Sequence, residues 1–368
     1  MSDGSDIIRT TPELERACAC AKGDGLLALD TEFVWMSTYR PRLGLVQLGG
    51  RNACWGLDCL TGTHTDPLKA LIEDPSVVKI LHDARQDLSH LRRYADALPV
   101  NVFDTQLAAA FAGFPAGIGL QKLLFEAIDV GLPKTETCTD WTRRPLSAAQ
   151  VAYALDDVRY LPALRDELLS RARTLGTEAW LTEELRRYDE PDLYADFDPE
   201  TVWMRIKLGR TRLDPHGFAV LKAVATLREE IARDLNLPRN WVGDDGSLVE
   251  MAAGHRLGNL RHRMNGGQAE VVRAKYRQAI AAAMELPEDE CPDNPHVRYI
   301  PEVLDAADKA LVWLRARAEE LHVDPTVFAN RATVTAYVDN VEDASNPLAT
   351  GWRYETVGRD MAALFGVE

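Results

Sequence analysis

The chain has 368 residues, of which 46% are hydrophobic and 27% are charged, and its formal net charge is −15. This length exceeds what one hydrophobic core usually supports, so we expect two or three domains. The N-terminus lacks the basic and apolar pattern of a secretory signal, and no window approaches the roughly 18 apolar residues of a membrane span. We therefore expect a cytoplasmic protein without a membrane partner.

The distribution of charge and the cysteines narrow the class of protein further. Residues 203–283 contain 14 Lys/Arg and 8 Asp/Glu, a net charge of +6, whereas the remainder of the chain carries −21. Such a block is typical of a nucleic-acid-binding module joined to a catalytic domain rich in metal-binding carboxylates. The alternative is a purely structural helical bundle with a fortuitous basic surface. The absence of a CxxC pair and of zinc-ligand spacing predicts reduced thiols at Cys18, Cys20, Cys54, Cys59, Cys138 and Cys291.

The N-terminal half of the sequence alternates short apolar runs with amphipathic stretches. Strands are predicted at residues 26–29, 43–49, 53–59, 77–81 and 102–103. Helices are predicted at residues 84–94, 105–111, 120–128 and 148–170. A meander of strands followed by strand–helix alternation indicates an α/β sandwich around a mixed sheet.

Amphipathic helices dominate the second half, including a long one at residues 218–235. Proline-containing segments at 190–199 and 287–295 predict linkers. Four apolar positions recur 86 residues further along the chain: Leu235, Leu237, Val242 and Leu248 match Leu321, Val323, Phe328 and Val334. This recurrence predicts two related helical bundles in tandem, and the alternative is a chance match.

Asp30, Thr31 and Glu32 lie at the end of the first predicted strand. Because side chains alternate along a strand, the carboxylates of Asp30 and Glu32 project from the same face of the sheet. Two like charges held close repel each other unless cations lie between them, and hard oxygen ligands suit Mg²⁺ or Mn²⁺. The alternative is a D-x-E triplet on a solvated surface, which an acid-rich sequence readily supplies.

A second acidic segment, from His82 to Asp87, follows the predicted strand 77–81. Asp87 is therefore expected in the first turns of the next helix, near the ends of the strands. One alternative is that Asp87 only stabilises the helix dipole. Another is that His82 is a hydrogen-bonded structural histidine.

The predicted helix 148–170 carries a third set of candidate residues. Tyr153 and Asp157 are four residues apart and share one helix face, whereas Asp156 lies on another face and is excluded. A phenol one turn from a metal-binding carboxylate can orient an attacking water. The alternative for Tyr153 is a half-buried core position. Taken together, four carboxylates and a tyrosine occur in the order that a two-metal site needs.

These motifs resemble those of the ribonuclease D family, in the DEDDy branch of the DEDD exonucleases. The resemblance covers most of residues 20–170. It rests on the segments 29–33 (LDTEF), 40–48 (RPRLGLVQL), 81–88 (LHDARQDL), 103–106 (FDTQ), 140–146 (DWTRRPL) and 153–161 (YALDDVRYL). Residues 205–283 resemble an HRDC domain, a helical module shared with RecQ-type helicases. The C-terminal part resembles the diverged second HRDC-like domain of the family.

The resemblance implies a fold class and domain boundaries. An α/β ribonuclease H-like (DEDD exonuclease) domain is expected at residues 1–195, followed by all-α HRDC-type helical domains at 203–286 and 296–368. The implied activity is hydrolysis of RNA from a free 3′-hydroxyl end to nucleoside 5′-monophosphates. The implied cofactors are two divalent cations, Mg²⁺ or Mn²⁺, with no organic cofactor. The implied partners are tRNA precursors or other small structured RNAs.

The resemblance also implies roles for the candidate residues. Asp30, Glu32 and Asp157 would hold the metal that activates the attacking water. Asp30 would also bridge to a second metal, which Asp87 would help to position. Tyr153 would orient the nucleophile.

Phe33 and His82 are expected, again by resemblance, to contact the terminal nucleotide. The carboxylates themselves do not discriminate RNA from DNA, because this discrimination depends on how a site meets the 2′-hydroxyl. Two alternatives therefore stay open at this point. The first is a DNA-directed 3′→5′ exonuclease, and the second is a catalytically silent RNA-binding scaffold.

Overall fold

The computed structural model describes residues 6–35, 37–133, 139–295 and 298–366, so the predicted thiol at Cys138 lies outside the described residues. The chain divides into two compact units. The sheet unit comprises the residues up to Val34, Leu43–Tyr194 and the residues from Tyr299 onward. The helical unit comprises Trp35–Arg42 and Ala195–Arg298. None of the described helices combines the length and the apolar composition that a membrane-spanning helix needs.

The described strands of the sheet unit are β1 (Ile7–Ile8), β2 (Leu26–Val34), β3 (Arg42–Gly49), β4 (Cys54–Asp58), β5 (Val78–Leu81) and β6 (Val102–Asp104). They form one sheet in the order β1-β4-β3-β2-β5-β6. Strand β4 pairs parallel with β1 and antiparallel with β3, and β5 pairs parallel with β2 and β6. The predicted mixed sheet is therefore confirmed, and β1 is a strand that the sequence did not predict.

Helices pack on both faces of this sheet. They are α1 (Thr11–Asp24), α2 (Asp66–Ile72), α3 (Ala84–Ala95), α4 (Thr105–Phe111), α5 (Leu120–Ile128), α6 (Ala148–Arg159), α7 (Leu161–Leu175) and α8 (Glu178–Leu185). Leu27 and Leu29 of β2 share a core with α1, α2 and α3. Leu26 and Ala28 share a core with α4, α5 and α7. Because neighbouring strand residues point to opposite faces, this division gives the three layers of an α/β/α sandwich.

Two local predictions are wrong in ways that matter for the site. Strand β2 continues to Val34, so Asp30 and Glu32 lie within the strand rather than at its end. The predicted helix 148–170 is two helices, because α6 ends at Arg159 and α7 begins at Leu161. Pro162 lies in the first turn of α7 and has no N–H to donate to a preceding turn, so one continuous helix cannot form across it.

The helical unit contains α9 (Pro215–Asp234), α10 (Arg239–Val242), α11 (Asp245–Gly254) and α12 (Gly266–Met284). Helix α9 begins earlier than predicted because the Asp214 carboxylate caps it, accepting the Gly217 N–H at 2.7 Å. The unit has its own core, which includes Trp203 and Tyr276. The predicted linker 190–199 contains a 3₁₀ helix at Pro191–Tyr194 and ends where another begins, at Pro199–Arg205, and the predicted linker 287–295 contains one at Glu288–Glu290.

The C-terminal helices belong to the sheet unit. They are α13 (Pro301–Glu320), α14 (Arg331–Asp339), α15 (Gly351–Arg353) and α16 (Arg359–Phe365), with a π-helical turn at Tyr354–Gly358. Trp352 stacks on Trp180 with ring centroids 5.0 Å apart and meets Phe111 edge-on at 5.7 Å. Arg353 pairs with Glu184 of α8. The domain boundaries at 195/203 and 286/296 stay a prediction.

The recurrence at an offset of 86 residues extends to the ends of the helices. Helices α9 and α13 both have 20 residues, and each is followed by a left-handed residue, Asn236 (φ 51°) and His322 (φ 54°). Asp244 then caps α11, and Asn330 caps α14. The two segments therefore share a sequence of backbone conformations as well as four apolar positions.

Candidate active site

Strand β2 and helix α6 bring three predicted carboxylates together. Asp30 and Glu32 project from the same face of β2, and Asp157 lies on α6. One carboxylate oxygen from each of the three residues lies within 4.8 Å of the other two. This separation suits a divalent cation shared by the three carboxylates.

The sequence of α6 explains how Asp157 reaches this position. Ser147 begins the helix with a capping box: the Gln150 N–H donates to Ser147 Oγ at 3.2 Å, and the Ser147 N–H donates to Gln150 Oε1 at 2.8 Å. Tyr153 and Asp157, one helical turn apart, are half-buried beside the buried face of the helix. That face consists of Val151, Ala154, Leu155 and Val158.

Burial and mutual repulsion disfavour negative charge on all three carboxylates. Burial, and then the neighbouring Asp157 and Asp87, raises the pKa of Glu32 to about 8. Burial, and then Asp87, Asp157 and Glu32, holds the pKa of Asp30 well above its usual range. Burial, and then Asp156, raises the pKa of Asp157 to about 7. None of the main influences on these three pKa values comes from a Lys or Arg of the described ranges, so like charge and burial dominate the site.

The fourth predicted carboxylate, Asp87, lies in the first turn of α3 and is buried. The Thr31 hydroxyl donates a hydrogen bond to Asp87 and lies 3.2 Å from His90 Nδ1. Thr31 stands between Asp30 and Glu32 in β2, so its side chain points to the opposite face of the sheet, where α3 packs. Burial raises the pKa of Asp87 to about 7, against the hydrogen bond from Thr31, which lowers it. Asp87 is thus near the three carboxylates without belonging to their 4.8 Å group.

The predicted tyrosine lies beside the carboxylates with its hydroxyl protonated at neutral pH. Burial, and then Asp157, Glu32 and Asp30, raises the pKa of Tyr153 to about 12. Its ring lies nearly parallel to the ring of Trp141, with centroids 6.2 Å apart. The Tyr153 hydroxyl therefore keeps its proton and can donate a hydrogen bond next to the carboxylates.

Comparison with known proteins shows the family to which the chain belongs. A family model described as 3′-5′ exonuclease matches residues 6–173. Ribonuclease D of Desulfotalea psychrophila is 35% identical over 95% of this chain and 96% of its own length, and that of Pseudomonas paraeruginosa is 34% identical over 96% and 95%. The chain belongs to the ribonuclease D family. The crystal structure of Escherichia coli RNase D, an exoribonuclease involved in structured RNA processing, matches with a TM-score of 0.85 and 28% identity over 97% of each chain.

As a ribonuclease D family member, the chain is a 3′→5′ exoribonuclease. The resemblance inferred from its motifs is confirmed, as is the combination of an α/β exonuclease fold with a helical C-terminal region. These findings favour the exoribonuclease over both alternatives, the DNA-directed exonuclease and the silent scaffold.

In this ribonuclease D family member, Asp104 has a structural role that the sequence analysis missed. Its buried carboxylate accepts hydrogen bonds from the N–H groups of Asp83 and Ala84, both at 3.1 Å, and of Gln106 at 2.9 Å. It also accepts the hydroxyl of Tyr188. Asp104 therefore fixes the start of α3, the helix whose first turn carries Asp87. An Asp between a strand and a helix is an N-cap pattern, and this signal could have revealed part of the role.

The two residues expected to contact the terminal nucleotide both lie near α3. His82 follows β5 and is half-buried, and its Nδ1 lies 2.9 Å from Thr105 Oγ1. Burial lowers the pKa of His82, so the imidazole is neutral at neutral pH. The Phe33 ring meets the His90 ring edge-on, with centroids 4.2 Å apart. Nucleotide contact by Phe33 and His82 stays a prediction.

Proposed function

We propose that Asp30, Glu32 and Asp157 hold one divalent cation, Mg²⁺ or Mn²⁺, and that Asp30 and Asp87 take part in holding a second. The observation that carries this proposal is the convergence of three half-buried carboxylates within 4.8 Å. The raised pKa values support it, because a bound cation would favour the ionised form of carboxylates that burial and like charge disfavour. Bound cations would lower the pKa of a coordinated water and stabilise the charge on the leaving 3′-oxygen.

The residues of the chain would provide the remaining chemistry. The protonated Tyr153 hydroxyl would hydrogen-bond the attacking water and aim it at the scissile phosphate. The Thr31 hydroxyl occupies one oxygen of Asp87 and leaves the other for a ligand. Phe33 and His82 would contact the terminal nucleotide. The products would be nucleoside 5′-monophosphates, released one at a time from a free 3′-hydroxyl end.

A matched pair of variants tests this assignment. Asp156 and Asp157 are adjacent on α6, but Asp156 pairs with Arg159 whereas Asp157 lies in the carboxylate cluster. We expect Asp157→Asn to abolish Mn²⁺-dependent shortening of a 5′-labelled RNA with a free 3′-hydroxyl, and Asp156→Asn to leave a stepwise ladder. Equal loss of activity in the two variants would contradict the proposed ligand set.

We propose that the natural substrates are tRNA precursors or other small structured RNAs. The relative from Escherichia coli, described as involved in structured RNA processing, supports this choice. The test compares the full-length protein on a tRNA precursor with a 3′ extension and on an unstructured RNA of equal length. A lower kcat/KM for the tRNA precursor would contradict the proposal.

The helical unit would be an HRDC-type domain, and residues 296–368 would be a diverged second copy of it. The helical unit would supply contacts to the phosphates of the RNA. Four basic side chains precede α9 and are exposed, and none of them forms an ion pair within the described part of the chain: Arg205, Lys207, Arg210 and Arg212. Arg205 lies over the Phe197 ring, 4.2 Å from its centroid. Such a segment suits the backbone of a nucleic acid.

Point variants test this role better than a truncation. Removing the residues from Tyr299 onward would expose the core that they share with α4, α7 and α8. We expect replacement of the four basic residues by Gln to weaken RNA binding and to flatten its salt dependence by about 0.7 in slope per lost contact. Lys122→Gln, at an exposed residue paired with Glu126, is the control. An unchanged salt slope in the fourfold variant would contradict the role.

We also propose a cytoplasmic location. The free thiols among the described residues, such as the buried Cys18 and the exposed Cys20, fit a reducing compartment. Recovery of the protein in a secreted or membrane fraction would contradict this proposal.

A further inference from the structure

The segment 140–146 resembles a family signature, but none of the roles described above uses it. Its Arg144 forms a bidentate pair with Asp58 at the end of β4: Nε donates to Oδ2 at 2.7 Å, and Nη2 donates to Oδ1 at 2.6 Å. The Asp58 side chain is buried. Burial raises the pKa of Asp58, but the hydrogen bonds and the charge of Arg144 outweigh this effect. The pKa therefore lies below its usual value, and the pair is ionised.

The same guanidinium fastens the segment to the sheet. Nη1 donates to the Trp141 carbonyl at 2.8 Å, and Nη2 donates to the Gly44 carbonyl of β3, also at 2.8 Å. A Cβ at Gly44 would lie 2.3 Å from the Trp141 carbonyl oxygen. Glycine at this position therefore allows the backbone of Trp141 to lie directly against β3.

This anchoring determines where the Trp141 side chain lies. Trp141 is buried and shares a core with Leu45 of β3 and with Val151, Ala154 and Leu155 of α6. Its ring lies 6.2 Å from the Tyr153 ring, centroid to centroid, at an interplanar angle of 26°. Within the ranges that the structure describes, the Tyr153 hydroxyl makes no hydrogen bond. The orientation of the phenol therefore depends on packing, and Trp141 is its aromatic neighbour.

We propose that Trp141, fixed by the Arg144–Asp58 pair, is a positioning residue for Tyr153. This inference rests on the proposed role of Tyr153 in orienting the attacking water. Trp141 packs against the side of the Tyr153 ring and prevents the whole side chain from swinging about its Cα–Cβ bond, so the phenolic oxygen stays in one place beside the carboxylates. Neither Trp141 nor Arg144 touches the reacting atoms. Loss of the stack would let the Tyr153 side chain swing about its Cα–Cβ bond, which would displace the hydroxyl and lower the fraction of turnovers with an aligned water.

A double-mutant cycle on the full-length protein tests the proposal. We expect Trp141→Leu to lower kcat by about 10- to 100-fold with little change in KM, because misplacement of an orienting group affects the chemical step. We expect Trp141→Phe, which restores an aromatic ring, to recover most of kcat. In the Tyr153→Phe background, Trp141→Leu should cause no further loss. Arg144→Lys keeps the charge but loses the bidentate contact with Asp58. It should lower kcat by a smaller factor, and should likewise cause no further loss in the Tyr153→Phe background.

The outcomes separate this inference from the proposed role of Tyr153. If Trp141→Leu lowers kcat by the same factor in both backgrounds, Trp141 does not act through Tyr153, and the inference is overturned alone. If Tyr153→Phe keeps the kcat of the wild type, the orienting role of Tyr153 and the inference both fail. Thermal unfolding of each variant shows that it is folded. Should Trp141→Leu not fold, the cycle with Trp141→Phe and Arg144→Lys decides by the same criterion of additivity.

Discussion

On one face of β2, Asp30 and Glu32 meet Asp157 with carboxylate oxygens within 4.8 Å, and no described Lys or Arg is among the main influences on the pKa of Asp30 or Glu32. On the other face, Thr31 donates a hydrogen bond to Asp87 and lies 3.2 Å from a nitrogen of His90. The same three consecutive residues thus serve two different environments, because strand side chains alternate between the faces.

The difference concerns what keeps a buried carboxylate ionised. On the α6 face, burial and the like charges of Asp157 and Asp87 raise the pKa of Glu32, and no described hydrogen bond or cation opposes them. On the α3 face, a hydroxyl group opposes the effect of burial on Asp87. A bound cation should therefore lower the carboxylate pKa values most on the α6 face. The α3 face should act mainly by holding Asp87 in one orientation.

The largest expected effect comes from removing one charge on the α6 face. We expect Asp30→Asn to lower kcat on the order of 10³-fold or more, because Asp30 is the proposed ligand common to both cations. In metal-free buffer at pH 8, the same variant should unfold at a higher temperature than the wild type, by about 2–4 °C per kcal/mol of relieved repulsion. An RNA-shortening assay and thermal unfolding measure the two effects.

The control for Asp30→Asn is Asp156→Asn, at the carboxylate that pairs with Arg159 on α6. It should keep its activity and gain less stability than Asp30→Asn, because the repulsion that it relieves at Asp157 is offset by the loss of the pair with Arg159. An active Asp30→Asn protein, or one that unfolds at a lower temperature than the wild type without metal, would show that the α6 face is not an unneutralised cluster.

The α6 face could be predicted from the sequence because it depends on local rules. The alternation of β2 brings Asp30 and Glu32 to one face, and the spacing of four residues brings Tyr153 and Asp157 to one side of α6. The break before Pro162 also follows from a local rule, because proline lacks the N–H that a continuous helix requires. The features that could be predicted are therefore those that a single strand or a single helix determines.

The position of Asp87 in the first turn of α3 could be predicted, but its contact with Thr31 could not, because that contact depends on which strands become neighbours. Thr31 and Asp87 are 56 residues apart, and they meet because β5, which leads into α3, pairs with β2. The packing of Trp352 against Phe111 is likewise a long-range contact without a local signal. The resemblance to the ribonuclease D family supplied the activity, which alternation and helical spacing alone left open.

A smaller effect is expected from the α3 face. Thr31→Val keeps the shape of the side chain but removes the hydroxyl that Asp87 accepts, so Asp87 should lose its fixed orientation. We expect the Mn²⁺ concentration for half-maximal activity to rise about 10-fold, the lower end of the effect of losing a hydrogen bond to a metal ligand. Thr31→Ser, which keeps the hydroxyl, is the matched control. Equal Mn²⁺ requirements in the Val and Ser variants would show that the hydroxyl does not support Asp87.

The smallest expected effect is a dependence of stability on pH that bound cations reverse. Unfolded Asp and Glu side chains titrate near pH 4, at about their ordinary pKa. The folded protein raises the pKa of Glu32 to about 8 and that of Asp157 to about 7. Between these limits the folded state binds more protons than the unfolded state, so the stability of the metal-free protein should fall as the pH rises from about 5 to 8.

Divalent cations compete with those protons for the same oxygens, so their effect should have the opposite sign. We expect Mg²⁺ to raise the unfolding temperature by a few degrees at pH 8 and by less at pH 6, where the carboxylates hold their protons. Thermal unfolding with and without Mg²⁺ at the two pH values measures this difference. Asp157→Asn should reduce it, because one of the titrating groups is gone. A larger Mg²⁺ effect at pH 6 than at pH 8 would mean that the cation binds to groups other than this cluster.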